Sequence, residues 1–550
     1  MSKYNNIAEL LTVAAEQFGD RKALFAPVSG SEDASLTFRE LESLSNAYAQ
    51  FFVDNGLRKG MKTLMMVRPG LEMTAAVFAV FKVGAVPVLI DPGMGMRKML
   101  GCIKNIEPEA FIAVSLAHWI SLACAKYFSS IKIRFSLGAM PPWRAGLKRL
   151  DKFTSPDKIR KSSPVNFTLA QTDPDEMAAI LFTTGSTGPP KGVIYTHRVY
   201  LAQVEIIRQA YGGGPEMIDM SAFPLFAMFA IVMGMPSVIP KMDFTRPAEV
   251  DPEVIIKTIN RHQVSFSFGS PALWRTVAVY CLKHDIKLPT LKKVLMAGAP
   301  VSAELHEMVK KIIAPDGETL VPYGATEALP ITSFTGSEML AKTAEATAAG
   351  AGYCVGYPNP GLIIKVIACC DDIIPKWDDE RELATGEVGE IMIKGDVVTP
   401  GYFNLPSATS MAKTAALDGR LWHRMGDVGY FDQAGRLFFC GRKAHRVITA
   451  ERIYYPVCCE AIFNRHQKVF RTALVGQQVN DKITPVLFIE LHQAYWTNNS
   501  KIRKKIIAEL RAMGGEYEFT AEIASFRFIK KFPVDIRHNA KIFREQLAKL

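Results

Sequence analysis

Apolar positions recur along the chain in two rhythms, one helical and one of short continuous runs. IAELLTVAAEQF places them on one face of a helix, and SLTFRELESLSNAYAQFFVDNG reads as a strand and then a helix that stops at Gly56. MKTLMMVRPG, LEMTAAVFAVFKVG and AVPVLIDPG follow as strand, helix and strand, with Gly84 closing the helix. Such units favour a parallel sheet covered by helices. MAAILF continues the pattern as a strand, and YTHRVYLAQVEIIRQAYG as a helix. SFSFGSPALW and KKVLMAGAP read as strand ends turning into glycine loops, where ligands sit in parallel sheets. Near the end, RTALVG and TPVLFIEL are strands and KIRKKIIAELRAM is a basic helix. The expected fold class is α/β, a large N-terminal domain of helix-covered sheets followed by a small α+β domain.

Two apolar stretches test for membrane insertion. Residues 222–240 are uncharged for nearly the length of a span, but Pro224, Gly234 and Pro236 interrupt them, so they read as buried lining. Residues 111–125 are shorter and read as a core helix. Residues 127–174, richer in Lys, Ser and Pro, read as a variable excursion without assigned function.

At 550 residues the chain exceeds one hydrophobic core, so two or more domains are expected. The polar start and the absence of a cleavage pattern point to a cytoplasmic protein. The nine cysteines form no C-x-x-C with a histidine pattern, which argues against zinc and against a disulfide framework. The net charge of +11 suits anionic substrates or peripheral contact with an acidic membrane surface. It is scattered rather than gathered into a nucleic-acid stripe, and a solvated basic face is the preferred reading.

The chemistry centres on LFTTGSTGPPKG at 181–192, an apolar strand opening into hydroxyls, glycines and a lysine. Bare N–H groups and hydroxyls on such a loop can wrap a polyphosphate. The spacing excludes a P-loop, because Pro190 and Gly192 flank Lys191 where a glycine and a Mg²⁺-binding hydroxyl belong. It also excludes a nucleophile elbow, because Thr184 stands at the first glycine.

The string closely resembles the phosphate-binding signature of the AMP-forming adenylating superfamily, which includes acyl-CoA synthetases, peptide-synthetase adenylation domains and luciferases. Companion motifs follow in the superfamily's order. The resemblance implies ATP binding by Thr183, Thr184, Gly185, Ser186, Thr187, Gly188 and Lys191, with Gly298, Ala299 and Pro300 on the adenine side. In VPYGATEALP, Tyr323 and Gly324 adjoin adenine, Thr326 can bond a phosphate oxygen, and Glu327 can hold Mg²⁺. Asp427 matches the residue that accepts both ribose hydroxyls, and Arg442 the arginine that reaches ribose or phosphate. Lys541 sits where the family keeps its adenylating lysine, which makes Lys541, Glu327 and Thr326 the candidate catalytic set. The resemblance also divides the chain into an AMP-binding domain, 1–440, and a C-terminal lid domain, 441–550.

AFPLFAMFAIVMG occupies the place of the superfamily's acyl-pocket motif, with Ala227 where a histidine is usual. Phe223, Phe226, Met228, Phe229 and Gly269 are the candidate acyl pocket; the aromatic and methionine positions read equally well as ordinary core. His197 begins a helix and reads as capping or packing.

The departures point to a substrate. Ala444 stands at the usual hinge aspartate or lysine, Glu451 near the glycine that opens a thiol tunnel, and DIRHNA replaces the run before the last lysine. These features resemble the olefin-pathway β-lactone synthetases over nearly the whole chain. That group adenylates a 2-alkyl-3-hydroxy acid, whose own hydroxyl then displaces AMP. The resemblance implies ATP and Mg²⁺ as cofactors, a long-chain 3-hydroxy acid as substrate, and thiolase-like, reductase and hydrolase proteins as pathway partners. The alternative is a fatty acyl-CoA ligase, which would also use CoA. His445 and His538 are candidates for the base of the second step.

Overall fold

A computed structural model describes residues 3–27, 33–137, 147–150, 155–161, 163–183, 189–534 and 542–550. Continuous apolar runs become strands buried on both faces, which is what a helix-covered parallel sheet requires. In the first sheet, of seven strands, the order in space is Leu147–Arg149, Ile133–Leu137, Ala110–Val114, Lys62–Met66, Val86–Ile90, Met177–Thr183 and Lys191–Thr196. All neighbours are parallel except the last pair, an antiparallel hairpin that joins Thr183 opposite Lys191. The hairpin therefore carries the ends of the glycine-rich loop, whose residues 184–188 lie outside the described ones.

The second, larger sheet has a parallel centre in the order Ser237–Val238, Asp219–Ser221, Phe266–Gly269, Lys293–Met296 and Glu318–Ala325. It continues through antiparallel strands that include Ala328–Thr335, Leu437–Arg442 and Leu421–Phe431. The largest core cluster fills the space between the two sheets. It joins Met65 and Phe135 of the first and Leu24, Phe266 and Leu295 of the second to helix side chains such as Phe52, Phe78 and Tyr200.

Local signals explain the helices. Phe38–Asp54 begins at a capping box in which Thr37 and Glu40 each satisfy the other's backbone N–H. Leu71–Val83 ends at Gly84, whose φ of 71° lies in the left-handed region that glycine adopts without strain. The expected strand, helix and strand at 61–93 therefore stand as read.

Beyond Arg442 the chain builds its own elements: a three-stranded sheet of Val469–Val479, Lys482–Leu491 and Ser525–Phe528, with helices Pro456–Phe463 and Ser500–Gly515. A separate core of Tyr454, Phe463, Leu474, Leu487, Ile506 and Leu510 holds them together. The fold is α/β, a large sheet-rich body with a smaller α+β C-terminal domain.

Two sequence expectations change. Residues 111–125 are not one helix: Ala110–Val114 is a strand between two parallel neighbours, and only Ser115–Ala123 is helical. A short run buried on both faces has no periodicity that separates strand from helix. The excursion at 127–174 supplies the edge strand Leu147–Arg149 of the first sheet and Ile133–Leu137 beside it. Residues 227–240 are buried and 223–226 half-buried, so the run is lining, as expected. Among the described residues no helix is long and apolar enough to cross a membrane. The nine cysteines are free thiols.

Candidate active site

The parallel strands of the larger sheet end together, and the loops that follow them open onto a cavity of about 1160 Å³. Gly298, Ala299 and Pro300 line it just past Lys293–Met296, and Tyr323, Gly324, Thr326 and Glu327 line it at the tip of the next hairpin. Lys191, Asp427 and Arg442 complete the set of described residues expected to bind nucleotide. Thr184, Gly185, Ser186, Thr187, Gly188 and Lys541 lie outside the described residues, and of Thr183 only the backbone is described.

One end of the cavity is a closed polar network. Asp427 and Arg442 face each other across adjacent antiparallel strands, and the arginine Nη1 lies 3.0 Å from the carboxylate Oδ1. The Tyr323 hydroxyl donates to the other carboxylate oxygen at 2.6 Å. Burial, reinforced by the Asp427 charge, holds the Tyr323 phenol well above its ordinary range. The same carboxylate raises the Arg442 pKa and so holds the guanidinium charged. A carboxylate fixed in this way presents acceptor oxygens in a set direction, which suits a diol.

A second cluster surrounds Glu327. Its Oε1 accepts the Tyr402 hydroxyl at 2.7 Å, and the Lys191 ammonium lies over the Tyr402 ring, 4.7 Å from its centre. The Glu327 carbonyl accepts both the N–H and the hydroxyl of Thr399 at 3.0 Å, while the Tyr195 hydroxyl donates to the Thr326 carbonyl at 2.7 Å. The hairpin tip is thus held from both sides. Behind it sits Lys413, buried, with Nζ 3.4 Å from the Thr399 hydroxyl oxygen. Burial lowers its pKa to about 7, with the Glu327 charge opposing. His423, opposite Lys413 in the adjacent strand, lines the cavity and holds Nδ1 3.1 Å from the Ala412 carbonyl. Burial first, and then the Lys413 charge, keeps it neutral.

Among the described residues no group of three or more acidic, histidine or cysteine side chains could enclose a metal. One carboxylate is what Mg²⁺ needs when phosphates and water supply the rest, and Glu327 at the cavity wall fits that role.

The other end is apolar. Phe223, Phe226, Met228 and Phe229 all line the cavity, so these positions are wall as well as core. Phe226 stacks on Phe268 with ring centres 4.3 Å apart and planes 9° from parallel. Two further walls meet here: Met65, Met73, Val77, Phe81 and Leu181 on the side of the first sheet, and Met233, Met235, Phe266 and Leu295 on the side of the second. Gly269 does not belong to the pocket. A Cβ there would lie 3.0 Å from Nε1 of the buried Trp274, so the glycine serves helix packing behind the wall.

Sequence reasoning assigned no role to Tyr402, Lys413, His423 or Asp219. Asp219 is 2 % exposed, lines the apolar half, and accepts the hydroxyls of Ser221 at 2.6 Å and Ser237 at 2.7 Å on Oδ2. Burial raises its pKa to about 7. The available signal was a charged residue at the head of an apolar run, IDMSAFPLF, which strand alternation turns inward together with Ser221 and Phe223. His445 lines the cavity, 3.4 Å from Glu545, and is held down to about 4 by burial and then by the Arg544 charge. His538 lies outside the described residues. His197 packs in the core, accepting the Ile7 N–H at 3.3 Å against Phe81, while Thr196 supplies the helix cap.

Comparison with known proteins agrees with this geometry. The olefin beta-lactone synthetase of Xanthomonas campestris pv. campestris is 40 % identical over all of this chain and 98 % of its own, and that of Stenotrophomonas maltophilia is 40 % identical with the same coverage. A long-chain-fatty-acid–CoA ligase of Salmonella typhimurium is 26 % identical over 86 % of this chain and 83 % of its own. The solved amide bond synthetase McbA from Marinactinospora thermotolerans shares the fold with a TM-score of 0.77 at 20 % identity, covering 99 % of each chain. Residues 11–403 match the family described as AMP-binding enzyme, and the chain belongs to that family as an AMP-forming ligase or synthetase.

Proposed function

We propose that the enzyme activates a long-chain 2-alkyl-3-hydroxy acid as its acyl-AMP and then lets the acid's own 3-hydroxyl displace AMP, closing a β-lactone. The observation that carries this reading is one cavity in which the nucleotide-matching residues adjoin two apolar walls from different sheets. Two walls suit an acid with two alkyl branches. The two olefin beta-lactone synthetases at 40 % identity support the same reading.

In the first step a carboxylate oxygen attacks the α-phosphorus and the bond to pyrophosphate breaks. Tyr323, Asp427 and Arg442 hold adenine and ribose, while Lys191 and the glycine-rich loop face the polyphosphate. Glu327 would hold Mg²⁺, which neutralises phosphate charge when bound. Lys541 is assigned the charge developing between carboxylate and α-phosphate. In the second step the 3-hydroxyl oxygen bonds to the acyl carbon, the bond from that carbon to the AMP oxygen breaks, and the hydroxyl proton passes to a base. His445, neutral and at the cavity wall, is the candidate for that base on the C-terminal side. Because nucleophile and acyl carbon belong to one molecule, the step gains its proximity without a second substrate. Ala444 and Glu451 then replace hinge and tunnel residues that only CoA entry requires. The lid is taken to begin at about Gly441.

The test is product analysis with the acid, ATP and Mg²⁺, with and without CoA. A product lighter by one water, with AMP release indifferent to CoA, is expected. An acyl-CoA thioester would make the enzyme a fatty acyl-CoA ligase instead.

A further inference from the structure

Two helices on the outer face of the first sheet carry apolar side chains on the side turned away from it. Strand alternation sends Met65 to the cavity and Leu64 to the outer face, where it shares a core with Leu100 and Ile103 of helix Met96–Ile106 and Ala117 of helix Ser115–Ala123. The second helix buries Ala117, His118 and Ser121 and leaves Leu116 63 % and Trp119 44 % exposed, three residues apart on its outer side. Met96, in the first turn of the other helix, is 48 % exposed.

The charge around these side chains is mostly of one sign. Arg97, Lys98, Lys104 and Lys126 are exposed, and among the described residues none of them makes an ion pair. Neither helix contains an acidic residue. Of the acids that flank them in sequence, Asp91 accepts the Gly93 N–H at 2.9 Å, Glu109 lies 3.6 Å from Lys132, and Glu107 is exposed just past the first helix. The face also borders the cavity. Both helices follow the C-terminal ends of parallel strands, Val86–Ile90 and Ala110–Val114, and Val67, Pro69, Asp91 and Pro92 at that same rim line the cavity.

We propose that these two helices dock the enzyme on an anionic lipid bilayer, with Met96, Leu116 and Trp119 entering the boundary between headgroups and acyl chains and the four cations meeting lipid phosphates. A tryptophan ring suits that boundary, and unpaired lysines and arginines suit a negative surface. Docking there sets the cavity rim against the layer into which an alkyl acid partitions, a consequence that rests on the substrate reading.

The experiment is co-sedimentation of the full chain, without ATP or acid, on vesicles of phosphatidylcholine alone and of phosphatidylcholine mixed with phosphatidylglycerol. Binding should need the anionic lipid and weaken as salt rises. Arg97→Gln with Lys98→Gln should lower the partition coefficient about 25-fold, since each cation near such a surface is worth about fivefold. Leu116→Ser with Trp119→Ser should lower it by about tenfold or more. Neither pair should change pyrophosphate release from an acid held in solution. The emission that Trp119→Phe removes should move to shorter wavelength when the wild type meets anionic vesicles, an arm that needs no destabilising change. Absent or lipid-independent binding, or binding that both pairs of substitutions leave intact, overturns the proposal. So does a wild-type dimer that the Leu116 and Trp119 substitutions break without any vesicle binding, which would make the face an interface between copies. Because no substrate is present, vesicle binding is decided separately from the identity of the product.

Discussion

The two halves of the cavity solve binding differently. At the end proposed to hold ribose, Tyr323, Asp427 and Arg442 form a network of short, directed contacts, with the aspartate buried. At the end proposed for the acyl chain, Phe223, Phe226, Phe229 and Phe268 offer area and shape, and Asp219 is turned to its own serines. Removing one member of a buried charged network strands its partners. Removing one ring from an apolar wall mainly costs area. The nucleotide end should therefore be brittle and the acyl end forgiving.

Four substitutions and one titration sharpen that contrast. The largest effect is expected at the lysine proposed to meet the developing charge: Lys541→Ala should lower the rate of acyl-AMP formation by roughly 10²–10³ while ATP binding stays near normal, measured by pyrophosphate exchange. Next, Asp427→Ala leaves a cationic Arg442 without its carboxylate, and the KM for ATP should rise by about 10–100-fold with acid affinity little changed. Tyr402→Phe removes the hydroxyl that fixes Glu327 and should cost roughly tenfold in kcat, with a higher Mg²⁺ requirement. On the apolar side, Phe226→Ala should raise the KM for the acid by about tenfold and leave the KM for ATP unchanged. An equal loss in both would mean that the halves are not separable.

The contrast also explains what could be read in advance. Residues that match nucleotide motifs come in short strings whose chemistry is unusual for a turn, so Tyr323, Thr326, Glu327 and Asp427 could be proposed from order and spacing, and the structure gathers them at one cavity. Phe226 and Phe229 were ambiguous because a pocket wall and a core use the same side chains. Gly269 was misplaced because a glycine that admits a ligand and one that admits a tryptophan look alike. Lys413 and His423 were invisible, since nothing local shows that a strand pairing will set them behind Glu327. The strand at 110–114 was hidden for the reason that buries it.

Lys413 supplies the smallest expected effect. Its folded pKa of about 7 lies below the ordinary lysine value, so between about 7 and 10.5 the unfolded chain binds the extra proton. Stability of the ligand-free enzyme should therefore rise with pH across that window relative to Lys413→Met, as thermal melts of both proteins would show. A wild-type stability that stays level with that of Lys413→Met, or falls relative to it, as pH rises would mean that the lysine is charged in the fold.

The central claim is that the acid's own hydroxyl is the second nucleophile. The most direct measurement places a heavy-oxygen label in the 3-hydroxyl of the acid and follows it through a single turnover with ATP, Mg²⁺ and CoA present. The account predicts a β-lactone that keeps the label as its ring oxygen, with AMP unlabelled. A thioester that still carries the labelled free hydroxyl would contradict it.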